Sequence, residues 1–376
     1  MPLSLMALLL GGAAAVGLAG GGGSSGGGSS SGDGADPWPT SDPDDDGAFD
    51  GESGGPFVSP DGGSSSAGEE TAAEWAGLSA EEQLIVELIN RARLDPTSEV
   101  DRLSEPLASG ISSDPAQPLA VTGALSDASR AHSQDLDDRD FFDHTNLDGQ
   151  SPADRATEEG HGSRYVGENI GWIGSTWTGF DRQDRVESHH ENLWESDGHQ
   201  RNLMDDRWSE IGIGYDEGSY LGYDGSSFVT EMFGDRGATY LTGVVIEDFD
   251  GDDFYDIGEG QGGVRVTADD GSTLYETETW DAGGYTLALP SGTTYEVSFA
   301  GGDLDSPVSL FVTILDENVK VDVIEEGGAT VAMTSAFGGG AETTVGAEAP
   351  FLPEVPIEYD VADVEDETDE LMLELI

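Results

Sequence analysis

Twelve of the fourteen Lys and Arg residues fall between Arg91 and Arg236, in a chain of 376 residues that carries 77 Asp and Glu. All six His, from His132 to His199, lie within the same stretch. The first 90 residues hold no cation, and only Arg265 and Lys320 follow Arg236. A folded region of mixed charge, and any chemistry that needs imidazole, is therefore expected in the centre of the chain. The formal net charge of −63 argues against nucleic-acid partners and against electrostatic binding to anionic membranes, because both surfaces are themselves polyanionic. With no cysteine there is no disulfide framework, thiolate metal site or cysteine nucleophile. A metal would have to use His or carboxylates.

Segment composition divides the chain further. Residues 1–22 contain the apolar run Leu3 to Ala19, long enough for a signal segment or membrane anchor but without a preceding cation. Residues 23–77 are dominated by Gly, Ser, Asp and Pro and read as a disordered acidic linker. Order is predicted from Ser79, where Ser79 and Glu82 form a capping-box pattern ahead of Leu84, Ile85, Leu88, Ile89 and Ala92 at helical spacing. Further helices are expected at about 125–138 and 185–195, and strands at Glu210–Tyr215 and Ser227–Phe233. This α+β region spans about 78–238. Beyond it the periodicity becomes two, in Tyr285/Leu287/Leu289, Tyr295/Val297/Phe299 and Val319/Val321/Val323, which predicts a small all-β sandwich over 239–330. Residues 331–376 read as an acidic disordered tail.

Three segments of the central region carry the chemical information: Phe141-Phe142-Asp143-His144-Thr145, Val166-Gly167-Glu168-Asn169-Ile170, and Trp194 through Met204, which includes Ser196-Asp197-Gly198-His199-Gln200-Arg201-Asn202. Taken with Leu88 to Arg93, Ala131-His132-Ser133, Ser151 to Ala156, Glu210 to Gly214 and Val229 to Gly234, in that order, they resemble the bacterial form of the CAP superfamily, the SCP-like extracellular domain. The resemblance implies an α-β-α sandwich with an open cleft, in which His144, Glu168 and His199 converge and hold zinc or another divalent metal. Two imidazoles and a carboxylate would leave a coordination position free for water or a ligand group. Without metal, Glu168 is the candidate general base. The fuller family pattern has a Glu where this chain has Ser196, so His190 or Glu195 would supply a fourth ligand.

Trp194, Trp208 and Phe233 are expected in the core or cleft wall, and Asn169 and Asn202 on backbone near the cleft. His132 reads as a structural helix residue, His161 and His189 as exposed; Glu231 stands where the family commonly has Gln. The central region has no G-x-S-x-G and the chain no H-E-x-x-H, so no reaction is assigned.

The second region opens with Asp248, Asp250, Asp252, Phe254, Asp256 and Glu259 at loop positions one, three, five, seven, nine and twelve, the ligand spacing of an EF-hand calcium loop with the Phe254 carbonyl at position seven. Position six, normally Gly, is Asp253. Gly243-Val244-Val245 before the loop and Gly263-Val264-Arg265-Val266 after it resemble calcium-binding B-type adhesin repeats and carboxypeptidase-regulatory-like sandwiches. The expected protein is secreted or held at the cell surface, has divalent cations and a small-molecule or peptide ligand as partners, and uses calcium to stabilise its β-domain. The alternatives are a metal- or Glu168-dependent hydrolase of peptidase type and a structural surface domain without activity.

Overall fold

The computed structural model describes residues 76–327 and 329–335, together with the two-residue strand β1 (Ala15–Val16). The rest of the expected N-terminal anchor segment, the linker as far as residue 75 and the tail beyond residue 335 lie outside the described residues. Among those described, no helix is long and apolar enough to cross a membrane.

The capping box forms as the sequence predicts. Ser79 accepts from the Glu82 amide, the Glu82 carboxylate accepts from the Ser79 amide, and α1 runs Ala80–Leu94 with Leu84, Ile85, Leu88 and Ile89 buried. Asp95 caps α2 (Pro96–Leu103), and Ala120–Val121 forms β2. Next come α3 (Gly123–Asp138), α4 (Pro152–Glu158) behind a second capping box at Ser151, β3 (Val166–Gly174) and α5 (Arg182–Trp194). The half closes with α6 (Asp197–Met204), β4 (Glu210–Tyr220) and β5 (Tyr223–Gly234).

The strand order is β1-β3-β5-β4-β2. Alternation along β4 and β5 decides what packs where. Ile211, Ile213, Val229 and Phe233 join the buried cluster of α1, α5 and α6, whereas Met232 packs with Leu125 and Ala128 of α3. The Gly residues of Glu210-Ile211-Gly212-Ile213-Gly214 explain how close α3 comes. A Cβ on Gly212 would sit 2.1 Å from the Leu125 carbonyl carbon, and one on Gly214 would sit 2.3 Å from that of Ser129. Helices on both faces of one sheet give the expected α-β-α layering.

Among the described residues, every regular element after Gly237 is a strand. Two four-stranded sheets form, one ordered β11 (Val308–Ile314), β10 (Thr293–Gly301), β7 (Val264–Asp269), β8 (Leu274–Glu278), the other β13 (Ala329–Ser335), β12 (Val319–Glu326), β6 (Tyr240–Glu247), β9 (Gly284–Ala288). The residues picked out by their alternation, Tyr285, Leu287, Tyr295, Val297, Phe299, Val319, Val321 and Val323, are buried together in one cluster contributed by both sheets. Residues 331–335, expected in the tail, instead complete β13 beside β12.

The two halves are not beads on a string. Val244, Ile246, Tyr255 and Ile324 belong to the same buried cluster as Leu84 and Leu88. The Trp280 indole donates to Gln83 Oε1 at 2.9 Å, Lys320 meets Glu87 at 2.8 Å, and the Asn318 amide donates to the carbonyls of Pro118 and Ser209 at 2.9 and 2.7 Å.

Candidate functional site

A cavity of about 900 Å³ opens between the loop at 110–116, the start of β3 and the far end of α6. His144 and Glu168 line it, with Tyr165, Asn202 and Trp208. Glu168 sits on β3 with its carboxylate buried. His144 Nδ1 lies 2.8 Å from Glu168 Oε1, and the Arg155 guanidinium contacts Oε2. Arg155 comes from α4, and its other Nη donates to the carbonyls of His144 at 2.9 Å and Gln150 at 3.0 Å. Burial pushes the Glu168 carboxyl up, but the bond from His144 and the charges around it prevail and hold it below the usual carboxylate range.

His199 lies on α6, buried, and its backbone carbonyl accepts from Asn169 at 3.3 Å. Burial, with His144 adding to it, pushes the His199 imidazole down to about 4. Among the described residues, the sets of three or more His, Asp or Glu with ligand atoms within 4.8 Å of one another are Asp248/Asp250/Asp252 and Asp250/Asp256/Glu259. The structure thus brings His144 and Glu168 together, with His199 close enough to His144 for the two imidazoles to interact. It also leaves the proposed fourth ligands elsewhere. His190 Nε2 lies 2.9 Å from Glu99, which Arg91 and Arg102 also grip, and Glu195 is exposed at the C-cap of α5. Burial raises the Glu99 carboxyl, yet His190 and Arg91 outweigh it and hold it at about 2.

Each Glu168 oxygen has one partner, His144 on Oε1 and Arg155 on Oε2, so any cation in the cleft would share the carboxylate with a guanidinium. Arg155 is the residue that sequence reasoning left without a role. Its only signal is its identity as a scarce cation within Ser151 to Ala156.

Behind the cleft, Asn169 Nδ2 donates to Glu231 at 2.9 Å, and Asn202 Nδ2 donates to Asn169 Oδ1 at 2.9 Å and to the Glu168 carbonyl at 3.3 Å. Both Asn therefore bond backbone beside the cleft, as expected. Glu231 is buried, and burial, opposed only by Asn169, lifts its carboxyl to about 7. Trp194 and Phe233 are core residues, while Trp208 is buried and also lines the cleft. His132 is buried as expected of a structural residue. His161 and His189, expected at the surface, are buried too: His161 pairs with Glu210 at 2.8 Å and His189 with Ser227 at 2.8 Å. Periodicity does not reveal these partners, because they lie 49 and 38 residues away.

Residues 86–233 match the model of the cysteine-rich secretory protein family, CAP. This stretch is similar to CAP domains. The matched stretch is cysteine-free despite the family's name. A 102-residue stretch of the chain is 30% identical to the uncharacterized protein YkwD of Bacillus subtilis strain 168, covering 27% of this chain and 36% of that relative's length. Two solved structures also align. An extracellular protein containing a SCP domain from Bacillus anthracis does so at 23% identity and TM-score 0.26, over 41% of this chain and 39% of the other. An outer surface protein from Borrelia burgdorferi does so at 15% identity and TM-score 0.28, over 42% and 92%.

The acidic loop after β6 is a second candidate site. Asp248 accepts from the amides of Asp250, Gly251 and Asp253 at 3.2, 2.7 and 3.1 Å, and Glu259 accepts from Phe249 and Asp256 at 2.9 and 3.0 Å. Asp253, at the position normally given to Gly, has φ of 61°. Burial pushes the Glu259 carboxyl up, and Asp256 and Asp248 add like-charge repulsion. The loop packs on the α-β-α half through Phe254, whose ring lies 4.7 Å from the Arg91 guanidinium, and through Gln183 of α5, which contacts Asp256 and accepts from the Ile257 amide at 3.1 Å.

Proposed function

We propose that the chain is an extracellular or cell-surface binding protein whose CAP cleft holds a small molecule or peptide without turning it over. What supports this is the state of Glu168 at the base of a cavity of about 900 Å³. A carboxylate held low by an imidazole and a guanidinium is a poor general base. The cavity lies in the size range of ligand pockets, and its wall mixes Tyr165, Trp208, Val166 and Met204 with polar groups. The secretory family of the matched domain and the strongly acidic composition favour an extracellular setting.

The test is retention of a random N-acetylated tetrapeptide library on the immobilised full chain, read by mass spectrometry. Peptides are expected to bind unaltered and to be lost with Trp208→Ala. Cleavage products, or no retention by the parent, would overturn the proposal.

The acidic loop is proposed to bind calcium through Asp248, Asp250, Asp252, the Phe254 carbonyl, Asp256 and Glu259. The close approach of Asp250, Asp256 and Glu259 supports this, since a cation would relieve their repulsion. Through Phe254 and Gln183 the ion would fasten the β-sandwich to α1 and α5. Millimolar calcium is expected to raise the melting temperature of the parent and leave that of Asp248→Ala/Glu259→Ala unchanged. An equal response in both would refute the site.

A further inference from the structure

In a chain with more than five carboxylates per cation, an arginine without a carboxylate neighbour stands out. Eleven of the fourteen cations have an Asp or Glu oxygen within 4.0 Å. Arg93 and Arg185 do not, but both are buried and spend their donors on backbone carbonyls. Among the described residues that leaves Arg201 as the exposed cation with no such partner, and it lines the cleft.

Its position is fixed from behind. Gln200 beside it accepts from the Ala108 amide at 2.6 Å and donates to the Pro106 carbonyl at 3.3 Å, which ties α6 to the loop over the cleft. Arg201 Nη2 donates to the Ser109 carbonyl at 2.8 Å. One N–H of the guanidinium is used in this way and the other donors stay available in a fixed fork, the geometry that recognises a carboxylate. The other charges of the cleft limit how much negative charge a ligand brings. Arg164 is taken by Asp154 and Arg207 by Asp205, while Asp114 and Asp206 also line the cleft.

We infer that the cleft binds a short peptide by its single free α-carboxylate, with Arg201 as the carboxylate anchor. A polyanion would meet Asp114 and Asp206, and a bare organic acid would leave most of the cavity unfilled. The wall mixes Tyr165, Trp208 and Met204 with Asp114, Asp206 and Arg201, which suits a peptide better than an acyl chain.

This inference rests on the binding role proposed for the cleft, and the experiment separates the two. The full chain, immobilised, is offered N-acetylated tetrapeptides with free C-terminal carboxylates and the same library amidated. Retention of the acids is expected to exceed that of the amides about tenfold, as a charge-assisted pair gives. The ratio should fall to near one in Arg201→Gln, stay intermediate in Arg201→Lys, and be unchanged in Arg265→Gln, a paired arginine of the β-sandwich. Millimolar N-acetylglycine is expected not to displace the peptides. Equal retention of acids and amides by the parent would overturn the carboxylate anchor while leaving the binding cleft standing. Retention of neither would overturn both. An acid preference that survives Arg201→Gln would remove Arg201 from the site, and displacement by N-acetylglycine would replace the peptide with a simple organic acid.

Discussion

Lys320 on β12 reaches across to Glu87 on α1, and the pair tests whether the two halves fold as one. The ammonium lies 2.8 Å from Glu87 Oε2 and also contacts Asp322, with side-chain exposures of 6% for Lys320 and 4% for Glu87. Burial already raises the Glu87 carboxyl despite Lys320, and apart from that lysine its hydrogen-bond donor is Gln83 at 2.7 Å. Lys320→Met removes the cation and strands a buried carboxylate, which costs about 3–5 kcal/mol. At about 2–4 °C per kcal/mol for a structure of this size, the melting temperature falls by roughly 6–20 °C. The loss has a pH signature. In the variant the folded-state pKa of Glu87 stands further above its unfolded value, so the folded chain holds a proton that the unfolded chain has released. Its stability then recovers as pH falls toward the unfolded carboxyl range. Adding Glu87→Gln should recover most of the loss at neutral pH. Denaturant unfolding at pH 5 and pH 8 measures both effects. A loss below about 1 kcal/mol, or one equal at the two pH values, would refute the coupling between α1 and β12.

Two further substitutions probe the α-β-α half. Glu231 is lifted to about 7 by burial, so its contribution is full below the unfolded carboxyl pKa and is lost as pH rises toward 7, by about 3 kcal/mol at most. Glu231→Gln keeps an acceptor for Asn169 and should flatten this part of the stability profile between pH 5 and pH 8; an unchanged profile would contradict the burial argument. Gly212→Ala places a Cβ 2.1 Å from α3 backbone that has no side-chain freedom to yield, and should cost about 3 kcal/mol or more in denaturant unfolding. A cost below about 1 kcal/mol would mean that α3 shifts without penalty.

Features encoded over a few residues were legible in the sequence. The Ser79/Glu82 capping box, the alternation that buries Tyr295, Val297 and Phe299, and the strained Asp253 of the acidic loop all appear where spacing alone put them. Shorter elements were less visible: α2 and α4, of eight and seven residues, are too brief to show a period. At the cleft, the resemblance pointed to His144 and Glu168, which do meet, but not to the arginine that shares the carboxylate.

The sequence by itself determined the kinds of element, their order, and the spacing of carboxylates in the acidic loop, because caps, periods and loop offsets are relations between near neighbours in the chain. Only the tertiary structure decided how scarce cations were distributed among abundant carboxylates. Arg155 goes to Glu168, His190 and Arg91 to Glu99, Lys320 to Glu87, and Arg201 is left facing the cleft. Those pairings depend on burial and on contacts between residues up to 233 positions apart, where desolvation makes an unpaired charge expensive and spacing along the chain carries no information.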